Sequence, residues 1–205
     1  MIIKICGIQT SKAAKAAEAY GADWIGFVFA KSRRQVSLEQ AALISQELHT
    51  VKKVGVFVNA PLNVVDAAIR SCSLDFVQLH GDEPEEYCRQ VSVPVIRVVA
   101  VGAQEKAALP QNADYLLFDT AKAGERGGTG EVFDWNSHYS LRQTASVPVL
   151  VAGGLNEQNV GKAIANFRPD GVDVSGGVET DGSKDISKIH RFITAVRKVE
   201  RIYAK

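Results

Sequence analysis

Eight short runs rich in β-branched and other apolar residues recur along the chain: IIKIC (2–6), WIGFVF (24–29), KVGVFV (53–58), DFVQLH (75–80), PVIRVV (94–99), DYLLFD (114–119), PVLVAGG (148–154) and GVDVSGG (171–177). Amphipathic helical stretches fill most of the gaps. Strands that alternate with helices call for a parallel sheet, because parallel neighbours need long crossover connections. An open doubly wound sheet is the alternative, but a count of eight favours closure into a (β/α)8 barrel with its active site at the C-terminal face of the strands. The length of 205 residues lies near the lower limit for such a barrel. With no low-complexity linker, residues 1–205 are read as a single domain.

The clearer helices are SKAAKAAEAYGA, SLEQAALISQEL, PLNVVDAAIRS, EPEEYCRQV, NEQNVGKAIANF and ISKIHRFITAVRKV. In the second, Ser37 is placed as an N-cap and Gln40 follows three residues later, a capping-box pattern. The helix at about 103–109 is weakly written and that at about 134–143 is short. A net charge of +1 provides no field to gather nucleic acid or an anionic membrane, so any anion site must be local. No apolar run approaches the ~20 residues of a membrane span, and the start lacks a secretory leader pattern. Cys6, Cys72 and Cys88 are an odd number without metal-type spacing, which fits a cytoplasmic protein with free thiols and no metal.

Strand parity selects the candidate site. Successive side chains point to opposite faces. In the first strand Ile3 and Ile5 face the helices, while Ile2, Lys4 and Cys6 face the barrel axis. The same parity turns Gln78, His80, Leu117, Asp119, Gly171, Asp173 and Ser175 inward. The polar residues among them gather towards the C-terminal ends of their strands. A buried lysine needs a partner, and Asp173 is the candidate for Lys4. Two glycine pairs, Gly153-Gly154 and Gly176-Gly177, follow the last two strands. Glycines let the backbone approach a ligand and aim N–H groups at it, and in many barrels these two loops hold a phosphate. VETDGSKD leaves room for an extra turn before the last helix.

The motifs KICGIQT, GFVFAKSRRQVS, VGVFVN, VQLHGDE, LLFDT, RGGTGEVFDW, AGGLN and VDVSGGVE stand in the order found in the phosphoribosylanthranilate isomerases of tryptophan biosynthesis. The resemblance runs from residue 3 to about 180. It implies a cofactor-independent Amadori rearrangement of N-(5-phosphoribosyl)anthranilate by general acid/base catalysis. By this resemblance Cys6 is the base, Asp119 the acid and Arg34 the contact for the anthranilate carboxylate. Gly153, Gly154, Ser175, Gly176 and Gly177 fall on the phosphate loops. By their inward parity Gln78 and His80 line the pocket, with a structural hydrogen bond as the alternative for His80, and Asp173 is divided between lining the pocket and a core ion pair. The last loop reads DVSGGVE where relatives carry DVSSGVE, so Gly176 replaces a serine. The expected partner is a small phosphorylated substrate, with no nucleic acid or membrane, and the expected assembly is a monomer or weak homodimer.

The chemistry suits these residue types. An acid protonates the furanose oxygen as the ring opens, and a base removes the proton from C2′. A thiol near 8.5 and a carboxyl near 3.9 rest in the opposite states. The expectation is that Lys4 or Arg34 favours the thiolate, and that burial or a neighbouring anion raises Asp119. The analogous isomerase of histidine biosynthesis would show a half-repeat and aspartates in both roles. A ribulose-phosphate epimerase would carry metal-binding His and Asp, and indole-glycerol-phosphate synthase would carry inward lysines and glutamates. A non-catalytic phosphate sensor would lack the intact acid and base. Cys72 and Cys88 sit in helices and are read as structural; the role of the loop GERGGTG (124–130) stays open between flexibility and substrate cover.

Overall fold

The computed structural model describes residues 1–101, 109–120, 134–135 and 138–203. Among them, eight parallel strands close into a barrel in sequence order: β1 (Ile2–Cys6), β2 (Trp24–Val28), β3 (Lys52–Phe57), β4 (Phe76–Leu79), β5 (Val95–Val101), β6 (Tyr115–Thr120), β7 (Val149–Val151) and β8 (Gly171–Val174). The expected helix at about 103–109 falls almost entirely outside the described residues, as does the loop 124–130. The outer layer comprises α1 (Ser11–Ala19), α2 (Leu38–Gln46), α3 (Leu62–Cys72), the short α4 (Glu85–Cys88) and α5 (Tyr139–Gln143), α6 (Val160–Phe167) and the long α7 (Ile186–Tyr203). Ser37 caps α2 by accepting from the Gln40 amide N–H. The Gln40 side-chain amide donates to the Gln9 carbonyl, so it ties α2 to the loop before α1.

Strand parity separates two apolar cores. Ile3, Ile5, Val77, Leu79, Leu116, Phe118, Val172 and Val174 face the helices. Inside the barrel the register stacks side chains in tiers, each drawn from alternate strands. The lowest tier comes from even strands: Trp24, Phe76, Tyr115 and Gly171. Three of these are aromatic, and Trp24 packs on Phe76 at 4.4 Å between ring centroids and edge-on to Tyr115 at 5.1 Å. Gly171 leaves the fourth place open, because a Cβ there would lie 2.8 Å from that of Ile2. Odd strands supply the next tier through pairings with the first: Lys4 opposite Trp24, Val54 opposite Phe76, Ile96 opposite Tyr115 and Leu150 opposite Gly171. Gly26, Gln78, Leu117 and Asp173 follow on even strands, then Cys6, Val56, Val98 and Ala152. The polar side chains thus begin where the aromatic floor ends.

An aspartate precedes every even strand. Asp23, Asp75, Asp114 and Asp170 each accept from a backbone N–H near the start of the preceding odd strand: Ile3 at 2.8 Å, Lys53 at 2.9 Å, Val95 at 2.8 Å and Val149 at 2.8 Å. Arg197, Lys52 and Arg142 pair with the first, second and fourth of them. These carboxylates stitch strand to strand at the N-terminal end, opposite the polar tiers.

Past β8 the chain makes a 3-10 turn (Gly176–Val178) and then an antiparallel hairpin, β9 (Glu179–Thr180) and β10 (Ser183–Lys184). The expected extra turn therefore ends at Val178, the first residue of VETDGSKD, and the rest of that stretch folds mainly as a hairpin. Its tip is Asp181-Gly182, both at positive φ (49° and 78°), as a two-residue hairpin of this kind requires. The pairing sets Lys184 opposite Glu179.

Asp75→Ala removes one stitch from the N-terminal end. It is expected to cost about 1–2 kcal/mol, lowering Tm by a few degrees in thermal unfolding, while turnover at the opposite face stays within about twofold of the unsubstituted chain.

Candidate active site

The upper tiers enclose a pocket of about 230 Å³ at the C-terminal ends of the strands. Cys6, Gln78, His80, Asp119, Asp173, Gly153, Ser175 and Arg34 all line it. Eight of the eleven residues singled out from the sequence therefore meet in one cavity. Gly154, Gly176 and Gly177 belong to the flanking loops and do not line it.

The floor carries a buried ion pair. Lys4 Nζ lies 3.1 Å from Asp173 Oδ1, and the lysine has no exposed surface. Strands β1 and β8 are neighbours, and their register places Lys4 directly beside Asp173. Burial lowers the lysine's affinity for its proton, but Asp173 and Cys6 outweigh it and hold that affinity above the ordinary value. Lys4 thus stays charged. Gly26 makes the arrangement possible: a Cβ there would lie 2.8 Å from Cys6 Sγ and 3.3 Å from Lys4 Nζ. The missing side chain of β2 is the space in which thiol and ammonium meet.

Cys6 is buried, and burial raises its pKa above the ordinary 9.0. Lys4 and Lys184 pull it down, Asp173 pushes it up, and burial wins. The sequence-based expectation holds for Lys4, which does favour the thiolate, but not for the net direction: burial outweighs the cations and leaves the thiol above its ordinary value. Asp119 follows its expectation. Burial, assisted by the negative charge of Asp173, raises its carboxyl to about 6, against weaker opposition from the Thr120 N–H and Lys4. His80 Nε2 lies 3.7 Å from Asp119 Oδ2.

Arg34 runs across Gly7, where φ is 77° and a Cβ would strike the arginine Cδ at 2.6 Å. Its guanidinium makes a two-pronged contact with Glu179, Nε to Oε1 at 2.7 Å and an η-nitrogen to Oε2 at 3.0 Å. Arg33 also reaches Glu179, at 2.9 Å, and Lys184 Nζ lies 2.6 Å from the same carboxylate. Burial works against ionising this carboxyl, but Arg34 and Lys184 prevail and hold it below the usual range. Lys184 further donates to the Ser175 carbonyl and hydroxyl at 3.0 and 3.2 Å, and the Ser175 hydroxyl donates to the Cys6 carbonyl at 3.0 Å. The hairpin is thereby wired to the end of β1.

Parity reasoning did not find Glu179, Lys184 or Gly26. The first two lie on a hairpin outside the barrel strands. Their signal was the TDGS turn, whose two-residue geometry sets position 179 against 184. Gly26 was legible only as a glycine in an otherwise bulky strand.

The glycine loops pack against one another. Gly153 and Gly154 adopt positive φ (84° and 60°), and a Cβ on Gly177 would lie 1.9 Å from the Leu155 carbonyl oxygen. The β8 loop thus rests directly on the β7 loop. Gly176 sits beside Arg34, an η-nitrogen of which would be 3.3 Å from an added Cβ. Cys72 and Cys88 lie away from the cavity, and burial pushes the Cys72 thiol up to about 11.

A profile of the N-(5′-phosphoribosyl)anthranilate (PRA) isomerase family matches residues 3–195. The N-(5′-phosphoribosyl)anthranilate isomerase of Streptococcus mutans is 49% identical over 197 residues, covering 96% of this chain and 98% of the relative. The phosphoribosyl anthranilate isomerase structure from Thermus thermophilus superposes with a TM-score of 0.85 at 33% identity, covering 97% of this chain and 100% of that one. A second solved isomerase, in complex with reduced 1-(o-carboxyphenylamino)-1-deoxyribulose 5-phosphate, gives 0.81 at 36% identity, with 97% and 100% covered. With a cavity built around a buried thiol and a raised carboxyl, and with these likenesses along nearly its whole length, the chain belongs to the N-(5′-phosphoribosyl)anthranilate isomerase family.

Proposed function

We propose that Cys6 is the general base and Asp119 the general acid of the family's reaction, the Amadori rearrangement of N-(5-phosphoribosyl)anthranilate to 1-(2-carboxyphenylamino)-1-deoxyribulose 5-phosphate. The observation that carries this reading is that a thiol on β1 and a carboxyl on β6 face one cavity over a shared polar floor. Asp119 gives its proton to the ring oxygen as the C1′–O bond breaks, and the anilino nitrogen supplies the electron pair that forms the iminium. Cys6 then removes the C2′ proton. The electrons of that C–H bond form the C1′=C2′ double bond and neutralise the nitrogen, giving an enolamine that tautomerises to the ketone.

Arg34 holds the substrate's anthranilate carboxylate and shares its guanidinium with Glu179. The glycine loops and Ser175 hold the phosphate. Support for this placement comes from the positive-φ pair Gly153-Gly154 and from the close packing of the two loops. A relative bound to a reduced product analogue fits a substrate of the same class. A cytoplasmic setting agrees with three free cysteines, and among the described residues no helix is long and apolar enough to cross a membrane.

The reactive form holds a proton on Asp119 and none on Cys6, the reverse of their order of acidity. Below the carboxyl's pKa, the thiolate fraction rises tenfold per pH unit. Between the two values its rise cancels the loss of protonated Asp119, and above the thiol's pKa only the loss remains. The pH profile of kcat/KM is therefore expected to rise to about 6, stay level, and fall only above 9.0. In Asp119→Asn the bend near 6 disappears. Followed by the fluorescence decay of the substrate, Cys6→Ala and Asp119→Asn each lower turnover by roughly 10²–10⁴-fold; unchanged turnover in both would refute the assignment.

Asp119 also makes stability depend on pH. Its carboxyl is more basic in the fold than its ordinary 3.8, so its stabilising contribution is complete below that value and lost as pH rises through about 6. Asp119→Asn is expected to gain up to about 3 kcal/mol relative to the unsubstituted chain between pH 4 and 7, read by denaturant unfolding.

A further inference from the structure

Gln78 is the floor residue that neither the acid/base pair nor the ion pair employs. It stands on β4 between Val56 of β3 and Ile96 of β5, in the tier it shares with Gly26, Leu117 and Asp173. Only 2% of its surface is exposed, and it lines the cavity beside Cys6, His80 and Asp119. Among the described residues, none donates a hydrogen bond to its amide oxygen. The surroundings explain why. Gly26 offers no side chain, Leu117 has no donor, and the Lys4 ammonium is turned to Asp173.

A buried carbonyl oxygen without a donor is costly, and an apolar side chain in its place removes the cost. An apolar side chain has apolar neighbours here, since Leu117 of the same tier and Val54, Ile96 and Leu150 of the tier beneath belong to one apolar cluster. An amide at this position therefore points to a donor that arrives with a ligand.

We propose that the Gln78 amide oxygen accepts a hydrogen bond from a donor on the substrate adjoining the reacting bond, an N–H or O–H group. This rests on the reading that Cys6 and Asp119 flank the sugar at C1′ and C2′. Two groups there carry such a proton, the anilino nitrogen on C1′ and the hydroxyl on C2′. Both become more acidic as the iminium forms, because positive charge develops on the nitrogen and draws electrons from the neighbouring carbon. The hydrogen bond to Gln78 gains strength in the transition state, so it acts on kcat more than on KM.

The test uses Gln78→Met and Gln78→Leu, each measured for turnover, for thermal unfolding and for binding of two probes. One probe is reduced 1-(o-carboxyphenylamino)-1-deoxyribulose 5-phosphate; the other is its aryl ether, with oxygen in place of the N–H. Both variants are expected to unfold at the same temperature as the unsubstituted chain or higher, yet to lose about 10–100-fold in kcat/KM, chiefly in kcat. A loss of affinity for the amine probe alone identifies the N–H as donor, and an equal loss for both identifies the hydroxyl. Retention of kcat/KM within twofold overturns the proposal. So does a loss of activity matched by a loss of fold in both variants, which would make Gln78 structural. Failure of the acid/base reading is distinguishable, because it appears as full turnover in Cys6→Ala and Asp119→Asn.

Discussion

The Lys4–Asp173 ion pair sets the character of the whole barrel interior. It joins β1 to β8, the strands that close the sheet, and it is buried beneath Cys6 and Asp119. Two charges removed from water are tolerable only when they satisfy each other. Their geometry then fixes what lies above them. Lys4 lends its positive charge to the Cys6 sulfur, and Asp173 lends its negative charge to both Cys6 and Asp119. One pair therefore makes the carboxyl readier to hold a proton and offsets part of the lysine's help to the thiol. A neutral floor would give neither effect.

The interior divides by height. Below the pair lie aromatic rings from β2, β4 and β6, and below them the aspartates that tie adjacent strands. Above the pair lie the titratable groups. Stability and chemistry are thereby assigned to opposite ends of the same strands. The β9–β10 hairpin extends the chemical end beyond the barrel. Glu179 gathers Arg33, Arg34 and Lys184, and Ser175 passes that order on to the backbone of Cys6.

Much of this was legible in the sequence because period-two alternation is a local property. Once the strands were found, parity alone turned Lys4, Cys6, Gln78, His80, Asp119 and Asp173 inward, and a closed order made Lys4 the neighbour of Asp173. Other features depended on relations between distant residues. The role of Gly26 is to leave space for two atoms of another strand. The four aspartates at 23, 75, 114 and 170 repeat at every second strand, yet their meaning appears only when each is seen beside the strand before it. The net state of the Cys6 thiol depends on the fold in a similar way: the nearby cations are visible in the sequence, but the burial that outweighs them is not.

The central claim is that the cavity holds Asp119 and Cys6 with proton affinities both displaced upward, so that the reactive form is the less populated arrangement of one proton between them. Titration of the isotopically labelled Asp119 carboxyl carbon and Cys6 β-carbon by NMR in the unliganded protein tests it most directly. The account predicts a midpoint at about 6 for Asp119 and a thiol that persists beyond pH 9.0 for Cys6. A carboxyl that titrates near its ordinary 3.8, or a Cys6 thiolate already formed at neutral pH, would contradict it.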